Sequence, residues 1–232
     1  MSLLRLAEVN TFIERFHILE GVSVEVPKGS VVALLGRNGA GKTTTLRSIM
    51  GLNPPRSGVI EFDGEDLTSL RTFDIAAKGI GYVPEGRAIF TDLSVGENLR
   101  IAERQRGDLD RREELVFGLF PDLKRLIQLP GGSLSGGQQQ MLAIARVLVP
   151  DNRMLLIDEP SEGLAPVLIE QMIEAIAQLA DTVTVLLVEQ NFIVARRLAQ
   201  SYVIIEEGRS VMAGDMSDLA SDRDTIYRYL GV

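Results

Sequence analysis

The sequence contains no cysteine, no tryptophan and a single histidine, His17. Without cysteine there is no disulfide framework and no thiolate metal site. One histidine cannot build a multi-histidine metal centre. Basic residues are the minority: Lys and Arg number 24 against 32 Asp and Glu, a formal charge of −8. That balance argues against a general nucleic-acid coat, which needs a basic face. Long apolar runs are missing too. Stretches such as Val31 to Leu35 and Met154 to Ile157 fall far short of a bilayer-spanning helix. The first residues, Met1-Ser2-Leu3-Leu4-Arg5, lack the apolar region of a signal peptide. The expectation is a soluble, cytoplasmic chain that can still dock onto a membrane protein.

What is present is a chain of 232 residues, 45% hydrophobic. That length suits one large α/β domain, or one domain with a smaller subdomain inserted. Val31 to Leu35 is continuously apolar and reads as a strand buried on both faces. Ile80 to Val83, Met154 to Ile157, Thr184 to Val188 and Tyr202 to Ile205 read the same way. Helical patterns lie between the later ones, at Pro166 to Leu179 and Asn191 to Leu198. Alternating strands and helices predict a parallel sheet covered by helices. Two regions differ. Up to about Val26, short alternating segments predict antiparallel strands beside the main sheet. From roughly Gly86 to Pro150 there is no strand pattern, but helical patterns recur at Val95 to Arg106, Arg111 to Phe120 and Gly137 to Leu148. This region reads as an inserted helical subdomain of about 87–150, in a core of 1–86 and 151–232. Arg104, Arg106, Arg111 and Arg112, mixed with Glu103, Asp108 and Asp110, read as a solvated loop.

Gly36-Arg37-Asn38-Gly39-Ala40-Gly41-Lys42-Thr43 fits the phosphate-loop pattern G-x-x-x-x-G-K-[ST], followed by Thr44. Its glycines allow a tight turn in which several N–H groups face one phosphate. A helix starting near Lys42 adds the positive end of its dipole. Lys42 brings an ammonium to the β- and γ-phosphates, and the Thr43 hydroxyl is a hard oxygen ligand for Mg²⁺. Later, Leu155-Leu156-Ile157 leads into Asp158-Glu159. An aspartate in this place holds Mg²⁺ directly or through water, and Glu159 is the candidate general base for the attacking water. Together the two motifs predict a nucleoside triphosphatase.

Between them stands Leu134-Ser135-Gly136-Gly137-Gln138. Here the chain resembles the ATP-binding-cassette family, whose signature is this pentapeptide in this position. Ser135 and the N–H groups of Gly136 and Gly137 open a helix and form a second anion-binding terminus. The resemblance implies that this terminus caps the γ-phosphate of ATP held by a second cassette packed head to tail. It implies a P-loop NTPase (RecA-like) core with an antiparallel β subdomain and an inserted α-helical subdomain. It covers nearly the whole chain. Pro160 to Leu164 sits where the family has its D-loop, Tyr82 to Glu85 where it has the Q-loop, and Val188 to Asn191 where it has the switch histidine.

Two positions depart from the commonest family residue. The Q-loop glutamine is Glu85, whose oxygen can still ligate Mg²⁺ but adds negative charge near the γ-phosphate. The switch histidine is Gln190, whose amide can donate to phosphate but cannot shuttle a proton near neutral pH. With Val83 to Arg87, Leu134 to Arg146 and Gly163 to Pro166, these departures resemble the second ATP-binding subunit of branched-chain amino acid importers. That subgroup implies a different chain as partner cassette, with a homodimer as the alternative. It also implies two transmembrane permease subunits, a solute-binding protein, no nucleic acid, and a cytoplasmic place on the inner face of the membrane. Relatives serving urea and short amides share much of this text, so the solute stays open between them. A soluble cassette ATPase acting on nucleic acid or ribosomes is the reading from another class. The family stacks adenine on an aromatic residue before the first strands. Register puts Ile13 near that place; Phe12 is the candidate, with Phe16 or no aromatic as alternatives.

Overall fold

The computed structural model describes residues 2–180 and 182–231. In chain order the elements begin with β1 (Ser2–Ile13), β2 (Phe16–Pro27), β3 (Val31–Leu35), α1 (Lys42–Ile49), β4 (Ser57–Phe62), β5 (Glu65–Asp66), α2 (Thr72–Ala77) and β6 (Ile80–Val83). Four helices follow: α3 (Val95–Arg100), α4 (Asp108–Leu119), α5 (Pro121–Arg125) and α6 (Gly136–Leu148). The chain then runs through β7 (Met154–Asp158), α7 (Pro166–Ala180), β8 (Thr184–Val188), α8 (Phe192–Leu198), β9 (Ser201–Glu206), β10 (Arg209–Asp215), α9 (Met216–Ser221) and α10 (Arg223–Leu230).

Six strands form the central sheet in the order β10-β9-β3-β8-β7-β6, parallel except for β10. The long hairpin β1-β2 joins β4 and β5 in a second, antiparallel sheet. The apolar runs follow from what lies on the two faces of the central sheet. Val31, Ala33 and Leu35 of β3 enter the core shared with α6, α7 and α8. Val32 and Leu34 enter the core between the two sheets, around Leu46 and Ile49 of α1. The same alternation holds on β8, where Val185 and Leu187 face one core and Leu186 and Val188 the other. Each large apolar side chain buried there contributes about 1.5–3 kcal/mol, so both faces favour apolar residues and the sequence shows no period of two.

Among the described residues, the segment between β6 and β7 holds helices and no strand. The first of these helices is shorter than its pattern suggested. α3 ends at Arg100, and residues 101–106 form turns. The arginine-rich stretch that follows is pinned. Arg104 donates to Asn152 at 2.7 Å and to the carbonyl of Ile80, and Arg112 pairs with Asp151. The patch is solvated as expected, with Arg104, Arg106 and Arg111 exposed, but it is cross-linked toward β6 and the loop before β7, and its later half lies in α4 instead of a loop. Sequence periodicity also missed α2, α9 and α10, each of eight residues or fewer. A two-turn helix shows too few repeats of the 3.6-residue period to stand out.

Parallel order brings the carboxyl ends of β3, β6, β7 and β8 to one edge. The segments leaving that edge are 36–41, Pro84-Glu85, Glu159 to Leu164 and Glu189 to Asn191. In sheets of this type ligands bind at that edge.

Candidate functional site

A cleft of about 470 Å³ opens at this edge, lined by Asn38, Gly39, Gly41, Lys42, Thr43, Thr44, Glu85, Glu159 and Glu162, with Ile13 and Ile18. Its floor is the loop from β3 into α1. Gly41 sits at φ +112° as the residue before α1, and a Cβ there would lie 2.8 Å from Leu19. Gly36 is tighter still: a Cβ would meet the carbonyl of Ile205 at 2.2 Å. These contacts, besides the turn itself, demand glycine.

Lys42 is 4% exposed. Its ammonium donates to the carbonyls of Gly36 at 3.0 Å and Arg37 at 3.2 Å, and lies 3.1 Å from a carboxylate oxygen of Glu159. A cation this buried needs such partners. The Thr43 hydroxyl donates to Asp158 at 3.2 Å, and the Tyr82 hydroxyl donates to its other oxygen at 3.4 Å. Burial pushes the Asp158 carboxyl up to about 6, against the pull of the Thr43 hydrogen bond. Burial also raises the Tyr82 hydroxyl, as does the neighbouring Asp158 charge. Glu159 adopts φ +44°, an uncommon left-handed conformation for a non-glycine residue. Carboxylates crowd the rest of the rim. Desolvation first, then the negative charge of Glu85, raises Glu162 above its ordinary value.

The profile of the ABC transporter family matches residues 19–162, more than half of the chain. The chain belongs to the ABC transporter family. Among curated relatives of this cassette, the high-affinity branched-chain amino acid transport ATP-binding protein BraG of Pseudomonas aeruginosa is 43% identical, over 97% of each chain. The probable branched-chain amino acid transport ATP-binding protein LivF of Archaeoglobus fulgidus is 35% identical over 94% of each. A nucleotide-free ATP-binding cassette from an ABC transporter superposes with a TM-score of 0.87, covering 100% of this chain and 99% of its own, at 23% identity; this shows the fold. The cassette is thus a nucleotide-binding ATPase of a transport system.

Other predicted residues fall elsewhere on the cassette. Ser135 caps α6 in a reciprocal box: its hydroxyl accepts from the Gln138 N–H, and the Gln138 side chain accepts from the Ser135 N–H. Leu134 is buried, Ser135 and Gly136 are exposed, and Gly137 packs so closely on Leu168 that a Cβ would lie 2.3 Å away. None of the five lines the cleft of Lys42. Gln190 is exposed and lines a neighbouring groove that also touches Glu159 and Ile226. Arg37 points away, donating to the carbonyl of Arg228 at the end of α10. Ala40 is buried and does not line the cleft.

Phe12 requires a correction. It does not line the cleft. One face of its ring stacks on His17, centroids 4.1 Å apart and planes within 5°, while the guanidinium of Arg56 lies 4.1 Å from its centroid. Phe12 and His17 are cross-strand partners in the β1-β2 hairpin, next to a register shift at Thr11. The cassette presents Ile13 and Ile18 to the cleft instead. Three residues with no assigned role also belong to this edge: Tyr82 and Glu162 beside the carboxylates, and Glu189, 1% exposed. Glu189 carried a signal in its polarity at a strand end; Glu162 and Tyr82 carried only their place in the segments that resemble the D-loop and the Q-loop.

Proposed function

We propose that this chain is the ATP-hydrolysing subunit of an importer for branched-chain or other hydrophobic amino acids. The observation that carries the reading is its near-full-length similarity to a cassette named for that transport. The cleft supports the chemistry. The backbone of residues 36–44 cradles the phosphates, and Lys42 moves from Glu159 to the β- and γ-phosphate oxygens. Freed from Lys42, the Glu159 carboxylate takes a proton from a water aligned with the γ-phosphorus. Gln190, which lines the adjoining groove that shares Glu159 with the cleft, is the amide donor to the γ-phosphate once the pair of cassettes closes. Thr43, Asp158 and Glu85 are hard oxygen donors and would hold Mg²⁺. Among the described residues no group of three or more histidine or acidic side chains could hold a metal ion by itself; what the cleft offers is the Thr43 hydroxyl beside Asp158, 3.2 Å apart. An open set suits Mg²⁺, which takes few protein ligands and completes its shell with phosphate and water. When bound it neutralises charge on the phosphate oxygens.

In this reading residues 87–150 act as a helical subdomain on a core of 1–86 and 151–232. The Leu134 to Gln138 segment reaches the γ-phosphate of a second cassette, a different chain or a second copy. Closure of the pair moves two permease subunits, which a solute-binding protein supplies. No helix among the described residues is long and apolar enough to cross a membrane. In this reading the permeases supply the membrane path, and the cassette sits on the inner face of the membrane. A tagged copy isolated from membranes is expected to bring down two permeases and a second cassette, and its deletion to reduce leucine uptake. Recovery with ribosomes, or unchanged leucine uptake with loss of urea or amide uptake, would overturn the reading.

A further inference from the structure

We propose that Glu189 is a positioning residue for ATP turnover, clamping the loop after β7 to the loop after β8 so that Glu159 and Gln190 move as one unit. The inference rests on the reading of Glu159 as the base. Glu189 follows β8 directly and its side chain is buried. One carboxylate oxygen accepts the Ser161 N–H at 3.1 Å. The other accepts the Ser161 hydroxyl at 3.0 Å and the Asn191 N–H at 3.2 Å. Three donors from two loops thus converge on one carboxyl, which only accepts when ionised.

Helix capping does not explain this arrangement. α8 is already capped by the Asn191 side chain, which accepts from Ile193 and Val194. The same strand end also holds Glu159. The Glu159 N–H donates to the carbonyl of Val188 at 2.9 Å. Two residues later, Ser161 is gripped by Glu189. The two anchors come from adjacent residues of one strand end and flank Pro160. The φ of Glu159, +44°, turns the chain just after the first anchor and before the second. A sparsely populated backbone conformation persists only where its surroundings over-determine it, and these two anchors do so. Since Gln190 lies between Glu189 and Asn191, the same carboxylate fixes its loop.

The chemistry of the group gives the test. In Glu189→Gln, either placement of the amide turns its NH₂ toward a backbone N–H, of Ser161 or of Asn191, and that donor loses its acceptor. The transporter complex isolated from membranes is assayed as wild type, Glu189→Gln, Ser161→Ala, Ser161→Thr and the double variant Glu189→Gln/Ser161→Ala. Both single disruptions are expected to lower kcat roughly tenfold or more, with KM for ATP within about twofold. Ser161→Thr keeps the hydroxyl and is expected to restore kcat. The double variant should be no worse than the worse single, because the two residues act through one contact. Amide hydrogen exchange should quicken at Ser161 or Asn191 in Glu189→Gln. A kcat near wild type in Ser161→Ala, or no rescue by threonine, would overturn the clamp. If Glu189→Gln does not fold, the two Ser161 variants decide alone. Glu159→Gln runs as the control. Loss of turnover there with none in Ser161→Ala sinks only the clamp. Full turnover in Glu159→Gln sinks the assignment of the base and the clamp with it.

Discussion

The Nζ of Lys42 lies 3.1 Å from a carboxylate oxygen of Glu159. The ammonium that would bind the β- and γ-phosphates and the carboxylate that would activate water are paired with each other. On the proposed reading a triphosphate draws Lys42 away from this pair, which frees Glu159 to act. Glu159→Gln removes the competing charge. It is expected to bind ATP at least as tightly as wild type while turnover falls by roughly 10²-fold or more. Lys42→Ala should instead weaken ATP binding by roughly tenfold or more, through loss of a charge-assisted contact. Equilibrium binding and single-turnover assays on both variants check the contrast.

Gln190 stands outside the cleft and lines the adjoining groove. Its amide can donate but cannot carry a proton. Gln190→His introduces a group that titrates near pH 6.5. Turnover of the assembled transporter is expected to rise by a few-fold below pH 7 and to change little at pH 8. A flat ratio of variant to wild type across that range would show that this position contributes little.

The ring of Phe12 is committed to His17 and Arg56. Phe12→Leu is therefore expected to leave ATP affinity within about twofold and to lower stability by about 1 kcal/mol, the worth of lost stacking and cation–π contacts. Ile13→Ala, on the cleft wall, should weaken ATP binding by a few-fold. Titration with a fluorescent ATP analogue separates the two.

Burial pushes the Glu189 carboxyl from 4.5 up to about 7, even though Ser161 and Asn191 donate to it. Between those values the folded chain binds more protons than the unfolded one. Stability from this group is therefore full below about pH 4.5 and is lost as the pH rises to 7, by an amount on the order of 3 kcal/mol. Thermal unfolding should show wild type losing ground to Glu189→Gln between pH 5 and pH 8. A constant difference in Tm would contradict this.

Some of this was legible in sequence because it is local. The phosphate loop and the Leu134 to Gln138 segment are runs of consecutive residues that present backbone groups at a helix start, so their text carries their geometry. The apolar runs of β3, β7 and β8 named a doubly covered parallel sheet, because burial on both faces removes the alternation. Strand order was not readable. It brings Thr43 to Asp158 across 115 positions, and Ser161 to Glu189 across 28. Side-chain facing in the first hairpin was not readable either. Register shifts interrupt β1 at several points, one of them between Thr11 and Phe12, and a single shift sends a side chain to the other face. So the sequence by itself determined the nucleotide chemistry and the family. The tertiary structure decided that Phe12 serves the hairpin, that Lys42 waits on Glu159, and that Glu189 grips Ser161. Those contacts depend on packing between distant segments, and no local pattern encodes them.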